Sequence, residues 1–317
     1  MRARALKALA LVVQLSAVAS YSLLRSSNVP PTPGGIPCIA IAPARLNAIV
    51  APGQRATLHL YDASSIQVLR HAQAHANGTF GQVVLDEAAL VERKFRLLGV
   101  GSRVKVLTQR PSTHTDKFGG TSNSVLAEVI GVGIIEPDEV LQREPYMSVT
   151  CGVNDAMGAA QYDHTEAELA EWHEALVGAA MQCAQLGDVA LTGTPPGPGT
   201  DMSTKDWSLP ECIDSVRQLR RELQLGRSGG DDVDVAEAMG VADSCAVVDE
   251  AASTLQLSAL ASTAHLPGAL RLEAMELARQ GPTALASLLE LVQEALLEEA
   301  RRRRAVKAIA SALEGGE

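Results

Sequence analysis

Residues 51–62 read APGQRATLHLYD, and this stretch constrains the chain more than any other. Pro52 and Gly53 end one apolar run and open another. Proline holds the φ that a turn's first corner needs, and glycine accepts the left-handed backbone that can follow. The second run, Ala56 to Tyr61, carries the β-branched Thr57, with Leu58 and Leu60 two apart, the period of a strand with one buried face. Asp62 then stands where a helix start needs a side-chain acceptor for its free N–H groups. The local order is strand, turn, strand, helix start.

The neighbouring sequence extends this pattern. Residues 36–41 and 48–50 are apolar runs around a short polar break, read as strands. After Asp62, Ile66, Leu69 and Ala72 or Gln73 fall at helical spacing, and Asn77-Gly78 stops the helix because both residues tolerate the left-handed conformation. Residues 80–85 read as the next strand. Residues 96–107 follow as another, with Gly99 and Gly101 at bulge or close-approach positions. The polar residues 108–122 read as a loop, 125–135 as a strand pair and 146–153 as the last strand. Many short strands with one early helix suit a compact, curled β subdomain.

In this order the segments resemble the N-terminal substrate-binding domain of Lon proteases. APGQRATLHLYD resembles that family's proline-glycine, L-x-L and acidic helix-start element. TFGQVVLDE resembles the strand after its first helix, and LLGVGSRVKVL its glycine-bearing strand. VIGVGIIEPDEVLQREPYMSVTC resembles its G-x-G-R-F … E-P-Y strand pair. The chain departs from the family where Glu-x-Arg-Tyr is replaced by Asp62, Ser64 and Ser65, and where Ile134 replaces the arginine after the second glycine. The resemblance implies a domain that binds protein segments without cofactor, metal or nucleotide, with a surface altered at those four positions.

The second half reads as helical. Thr165 caps a helix with Glu166 and Glu168 in its first turn and Leu169, Trp172, Leu176 and Ala180 on one face, closed at Leu186-Gly187. Residues 192–209 read as a linker. Residues 211–225 form a helix striped by Ile213, Val216, Leu219 and Leu223, and 226–234 a flexible acidic loop. From about Val235 three helical segments are punctuated by Pro267-Gly268 and Gly281-Pro282. The last, 283–313, carries Leu285, Leu288, Leu289, Val292, Leu296, Val306 and Ile309 as its buried stripe. Its Glu298 and Glu299 precede Arg302 and Arg303 by four residues. The expected fold is therefore α+β: a twisted, partly closed β subdomain, residues 34–153, then a helical bundle with a long C-terminal helix. Residues 154–250 form helical segments with flexible loops, and 251–317 the C-terminal helical subdomain.

Bulk properties bound the function. The 317 residues carry 37 acidic against 27 basic side chains, a net charge of -10, which argues against a broad basic nucleic-acid surface. Hydrophobic residues at 46% indicate a globular chain, and aromatics at 3% favour helices packed with small aliphatics. Cys38, Cys151, Cys183, Cys212 and Cys245 are odd in number, widely spaced and without a CxxC pair. They read as buried thiols in a reducing compartment, not a disulfide framework or zinc site.

Residues 1–33 read as a targeting leader. Arg2, Arg4 and Lys7 precede an apolar run over 8–19 and small residues at Ala17, Ala19 and Ser20, the pattern of a signal peptide. YSLLRSSNVPPTPGG follows with no acid, and none occurs before Asp62, as in a transit peptide. Signal plus transit implies plastid import through the secretory route; secretion and a mitochondrial presequence are the alternatives. The apolar run is too short for a membrane span, and none is expected once the leader is removed.

No residue set identifies a reaction, so no catalytic, cofactor-binding or metal residue is assigned. His71 and His75 stand at i and i+4, but Ala72 occupies the place of the zinc-protease glutamate, and they read as surface histidines. GGTSNS from Gly119 and GRSGG from Gly226 lack the Gly-Lys-Ser/Thr of a phosphate loop. Arg301 to Arg304 read as a solvated helix face neutralised by the preceding glutamates. Three functions stay open: a non-catalytic LON-domain module or adaptor binding unfolded or extended protein segments in organellar quality control, an accessory subunit of an ATP-dependent protease, and a scaffold.

Overall fold

The computed structural model describes residues 35–92, 94–115, 118–154, 165–186, 214–216, 218–219 and 243–314. The leader, the 192–209 linker, the 226–234 loop with its GRSGG, and most of the 211–225 helix lie outside the described residues. Residues 214–216 and 218–219 are helical.

Strand β1 (Ile36–Ile41) leads through a 3-10 turn (Pro43–Ala48) and the Pro52-Gly53 corner into β2 (Arg55–Leu60). Helix α1 (Ala63–His75), β3 (Thr79–Leu85), the short α2 (Glu87–Val91), β4 (Leu97–Thr115), β5 (Thr121–Gln142) and β6 (Met147–Asn154) follow. The remaining helices are α3 (Glu166–Leu186), α4 (Asp243–Ser262), α5 (Gly268–Arg279) and α6 (Leu285–Glu314). The fold is α+β, a partly closed sheet followed by helices that include a long last one. Among the described residues, no helix is long and apolar enough to cross a membrane.

The sheet order is β2-β5-β4-β3-β1-β6, and β6 also pairs back onto β5, so five strands close a ring and β2 stays outside it. Strand β5 makes this possible. Along one edge it pairs with β4 from Thr121 to Ile135. Its other edge serves β2 from Val125 to Ile130 and then β6 from Ile134 to Gln142. The handover falls at Gly131, against the Pro52-Gly53 corner. Gly53 N–H donates to the Gly131 carbonyl at 2.8 Å, and Gly131 N–H donates to the Gln54 carbonyl at 3.0 Å. A Cβ on Gly131 would sit 2.1 Å from the Ala51 carbonyl oxygen, so only glycine lets the two backbones meet. Gly53 itself has φ +81°, and a Cβ there would meet Ala261 of α4 at 2.7 Å. The corner is thus held between β5 and α4.

Three apolar clusters follow from this arrangement. Ile41, Ile49, Val84, Ile130 and Ile134 pack with Leu176, Leu255, Met275, Leu288 and Leu296, joining sheet to helices. Leu58, Leu60 and Phe80 pack under Val68, Leu69 and Ala72 of α1. Cys38, Val83, Ile135, Met147 and Val149 form the third. Arg271 pins helices to sheet. It is 5% exposed and donates to the carbonyls of Asn47 (3.0 Å), Ile49 (2.9 Å), Thr263 (3.1 Å), Ala264 (3.3 Å) and Leu266 (3.0 Å). Burial lowers its pKa to about 10, so it keeps its charge at neutral pH.

Local signals in the sequence act as expected at several points. The Asp62 carboxylate accepts from Ser65 N–H at 2.8 Å and caps α1. Asn77 (φ 49°) and Gly78 (φ 68°) follow the helix in the left-handed region. Thr165 and Glu168 form a reciprocal capping box before α3: Glu168 N–H donates to Thr165 Oγ1 at 3.3 Å, and Thr165 N–H to Glu168 Oε2 at 2.9 Å.

Other expectations are corrected. The polar 108–122 stretch is not a loop. Strand β4 runs to Thr115 and β5 starts at Thr121, because backbone pairing from Thr108↔Glu128 to Thr115↔Thr121 needs no apolar side chains. Residues 125–135 belong to one strand, not a pair, since Gly131 serves close approach and not a turn. Residues 49–50 are not strand; the chain there crosses the sheet, tied down by Gln82. Helix α2, capped by Asp86, was not expected. On α6 the stripe ends early: Ile309 is 61% exposed, because the helix has run past its packing partners.

Candidate functional site: a cleft between two strand edges

Because β5 gives its edge first to β2 and then to β6, β2 has one edge without a strand partner among the described residues. Strand β6 pairs with β1 only from Ile36 to Cys38, so residues 39–41 of β1 also lack a strand on that side. The two edges flank a small cleft of about 70 Å³ lined by Ile39, Ala40, Ile41, Leu58, Leu60, Asp62, Ser65, Gln82, Arg45 and Ala48.

The backbone polarity of the β2 edge can be read from the ladder. Gly131 N–H bonds the Gln54 carbonyl, and the register then runs unbroken from Arg55↔Ile130 to Leu60↔Val125. Alternate residues therefore bond β5, and Thr57 and His59 turn their N–H and C=O groups the other way. Neither group finds a backbone partner among the described residues.

Gln82 forms the floor. Its side chain is 2% exposed, accepts from Val50 N–H at 2.8 Å and donates to the Ala48 carbonyl at 3.1 Å. Both ends of this amide are used, so it shapes the cleft without being spare for a ligand. Arg45 is exposed and makes no ion pair among the described residues. Asp62 is exposed, and among the described residues its carboxylate is engaged only by the Ser65 N–H of its own cap. The cleft mixes aliphatic side chains with the Gln82 amide and Ser65, and has Arg45, without an ion pair among the described residues, and Asp62 at its rim.

The residues singled out in the sequence fall mostly elsewhere. Asp62 and Ser65, two of the positions that depart from the resembled pattern, line the cleft. Ile134 is buried in the core, so the missing arginine there leaves an apolar contact with the helices. His71 is not a free surface histidine: it is half-buried, with Nδ1 2.9 Å from the Tyr146 hydroxyl, and burial followed by the nearby His75 lowers its pKa. His75 is exposed. Among the described residues, no group of three or more His, Cys, Asp or Glu is placed to hold a metal. Gly119, with φ +84°, turns the tip of the β4–β5 hairpin, and Ser124 Oγ lies 2.8 Å from His59 Nε2. Cys38 and Cys183 are buried and Cys151 is half-buried.

The arginine run is not a uniformly solvated face. Arg303 is 5% exposed, bonds Glu299 at 2.7 Å and reaches the carbonyls of Cys183 (3.3 Å) and His265 (3.2 Å). Its three neighbours are exposed. Helical periodicity explains the split: one residue in four faces α3.

The cleft itself could not be read from the sequence, because it arises where two strands distant in pairing order come side by side. Only Asp62 gave a local signal, and that signal was for a helix cap.

No protein-family model matches the sequence, and no curated protein matches it. Among solved structures, the chain is similar to the N-terminal domain of a Mycobacterium avium complex Lon protease, with TM-score 0.37 and 14% identity over 81% of this chain and 97% of that one. It is also similar to a Lon N-terminal domain protein from Xanthomonas campestris, with TM-score 0.31 and 12% identity over 60% of this chain and 97% of that one. Both of these structures are Lon N-terminal domains, the family its sequence resembles.

Proposed function

We propose that this chain is a protein-binding module that holds extended polypeptide segments and does not cut them, as a recognition or adaptor domain in organellar protein quality control. The observation that carries the reading is the outer edge of β2. There the outward Thr57 and His59 backbone groups have no backbone partner among the described residues. An extended chain supplies apolar side chains and backbone donors and acceptors together, and strand addition is the recognition mode that uses both. The sequence carries neither the phosphate-loop pattern nor a catalytic set, which supports holding over turnover. The basic, apolar and acid-free leader supports organellar import.

The test is fluorescence anisotropy with a permanently unfolded, alkylated model protein. Saturable binding is expected, with the ligand intact afterwards. Thr57→Pro should weaken binding while the fold persists, because an outward edge position of a strand tolerates the lost N–H. Absence of saturable binding contradicts the reading, and cleavage of the ligand by the purified chain contradicts its non-catalytic part.

A further inference from the structure

We propose that Cys38 and Cys151 form a thiol pair that hydrogen peroxide oxidises, with Cys151 as the attacking sulfur and Cys38 as the resolving one, closing an intramolecular disulfide between β1 and β6. The proposal is independent of the polypeptide-binding reading above.

The fold brings the two sulfurs together. Strand β1 pairs with β6 from Ile36↔Val149 to Cys38↔Met147. Met147 and Val149 lie in the third apolar cluster with Cys38, and Cys151, two residues further on, packs against the same cluster. Alternation along β6 sends Met147, Val149 and Cys151 to one face. Gly81 of β3 leaves room there, since a Cβ on it would lie 2.6 Å from Cys38 Sγ. The two thiols hydrogen-bond one another, and neither is in a disulfide. Backbone carbonyls also lie within reach, that of Ile36 at 3.3 Å from Cys38 Sγ and that of Val149 at 3.7 Å from Cys151 Sγ. A disulfide holds its sulfurs at about 2.05 Å, and this pair starts from contact.

The two environments divide the chemistry. Cys38 is 1% exposed, and its bond to Cys151, with burial, pushes its thiol pKa up. Cys151 is half-buried beside the exposed Gly152, and the bond from Cys38 lowers its pKa against the opposing effects of burial and Asp138. The thiolate is the nucleophile, so the more accessible sulfur is also the one that ionises more readily. The Cys151 thiolate attacks one peroxide oxygen. An S–O bond forms, the O–O bond breaks, and the hydroxide released takes up the proton Cys151 gave, leaving as water. The Cys38 sulfur then attacks the sulfenic sulfur. The S–S bond forms, the S–O bond breaks, and the leaving hydroxide takes the Cys38 proton as a second water. Two thiols thereby pass two electrons to one peroxide. Cys183 is the contrast: it is fully buried, its thiol donates to the Leu296 carbonyl at 2.9 Å, and burial raises its pKa.

Peptide mapping of the reduced full chain after one equivalent of hydrogen peroxide, with remaining thiols blocked, tests this. A Cys38–Cys151 cross-linked peptide within one chain is expected. Cys151 should react at least about ten-fold faster than Cys183, because a buried structural thiol is inert. Cys38→Ser keeps a donor beside Cys151 but removes the resolving sulfur, so dimedone, which traps sulfenic acids, should label Cys151 in that variant and much less in the parent chain. Cys151→Ser should leave Cys38 reduced. A Cys151 that stays reduced, links to another chain or reacts no faster than Cys183 overturns the pair, as does equal dimedone labelling with and without Cys38.

Discussion

At the scale of single residues, Gly131 bears the heaviest constraint. It lies where β5 passes from one partner strand to the next, and its hydrogen atom faces the Ala51 carbonyl across a space no methyl group fits. Gly131→Ala should destabilise the chain by about 1–3 kcal/mol, the usual range for overpacking, or more if the corner cannot shift. Chemical denaturation followed by circular dichroism measures it; an unchanged midpoint would show that the corner is not held against β5. Some residue-level features were legible beforehand, such as the Asp62 cap and the Asn77-Gly78 stop, because a cap or a left-handed residue is a local requirement. Arg303 was not. Its burial depends on where Cys183 and His265 come to rest, and a run of four arginines looks the same whichever one turns inward.

At the scale of elements, α6 carries a buried ion pair, Glu299–Arg303, where it packs on α3. Arg302 and Arg303 both bond Glu299, and these bonds hold its carboxyl below the usual carboxylate range. A carboxylate with a depressed pKa stabilises the fold above its unfolded value, and that contribution disappears as pH falls through the folded value. Stability should therefore decline below about pH 4.5, partly through Glu299. Glu299→Gln should cost about 3–5 kcal/mol at neutral pH by removing the charge that balances the buried Arg303, and should flatten the acid limb. Thermal melts across pH 3–7, about the span in which carboxylates titrate, would check both; an unaltered acid limb in the variant would contradict the assignment. Elements were legible where one face is buried: β2 alternates strictly, and α1 shows its stripe. The far part of the β4–β5 hairpin was not, because its polar strands pair through backbone alone and display no alternation.

At the scale of the whole molecule, the order α+β, curled sheet then helices, was legible from strand-length runs giving way to helical periodicity. The cleft was not, because it is a consequence of pairing order. Strand β5 is long enough to serve two partners on one edge, which keeps β2 outside the ring and its outer edge bare. Arg271 then locks the 3-10 turn and the Ile49 crossing to the helices, fixing the segment that joins the two cleft strands. Position of the joining segment, not any single side chain, makes the cleft.

Hydrogen exchange resolved at single amides tests that account most directly. With saturating unfolded polypeptide present, the Thr57 and His59 amides should exchange markedly more slowly, while amides in the last turns of α6 stay as they were. Unchanged exchange at Thr57 and His59, with protection appearing on the helices instead, would contradict it.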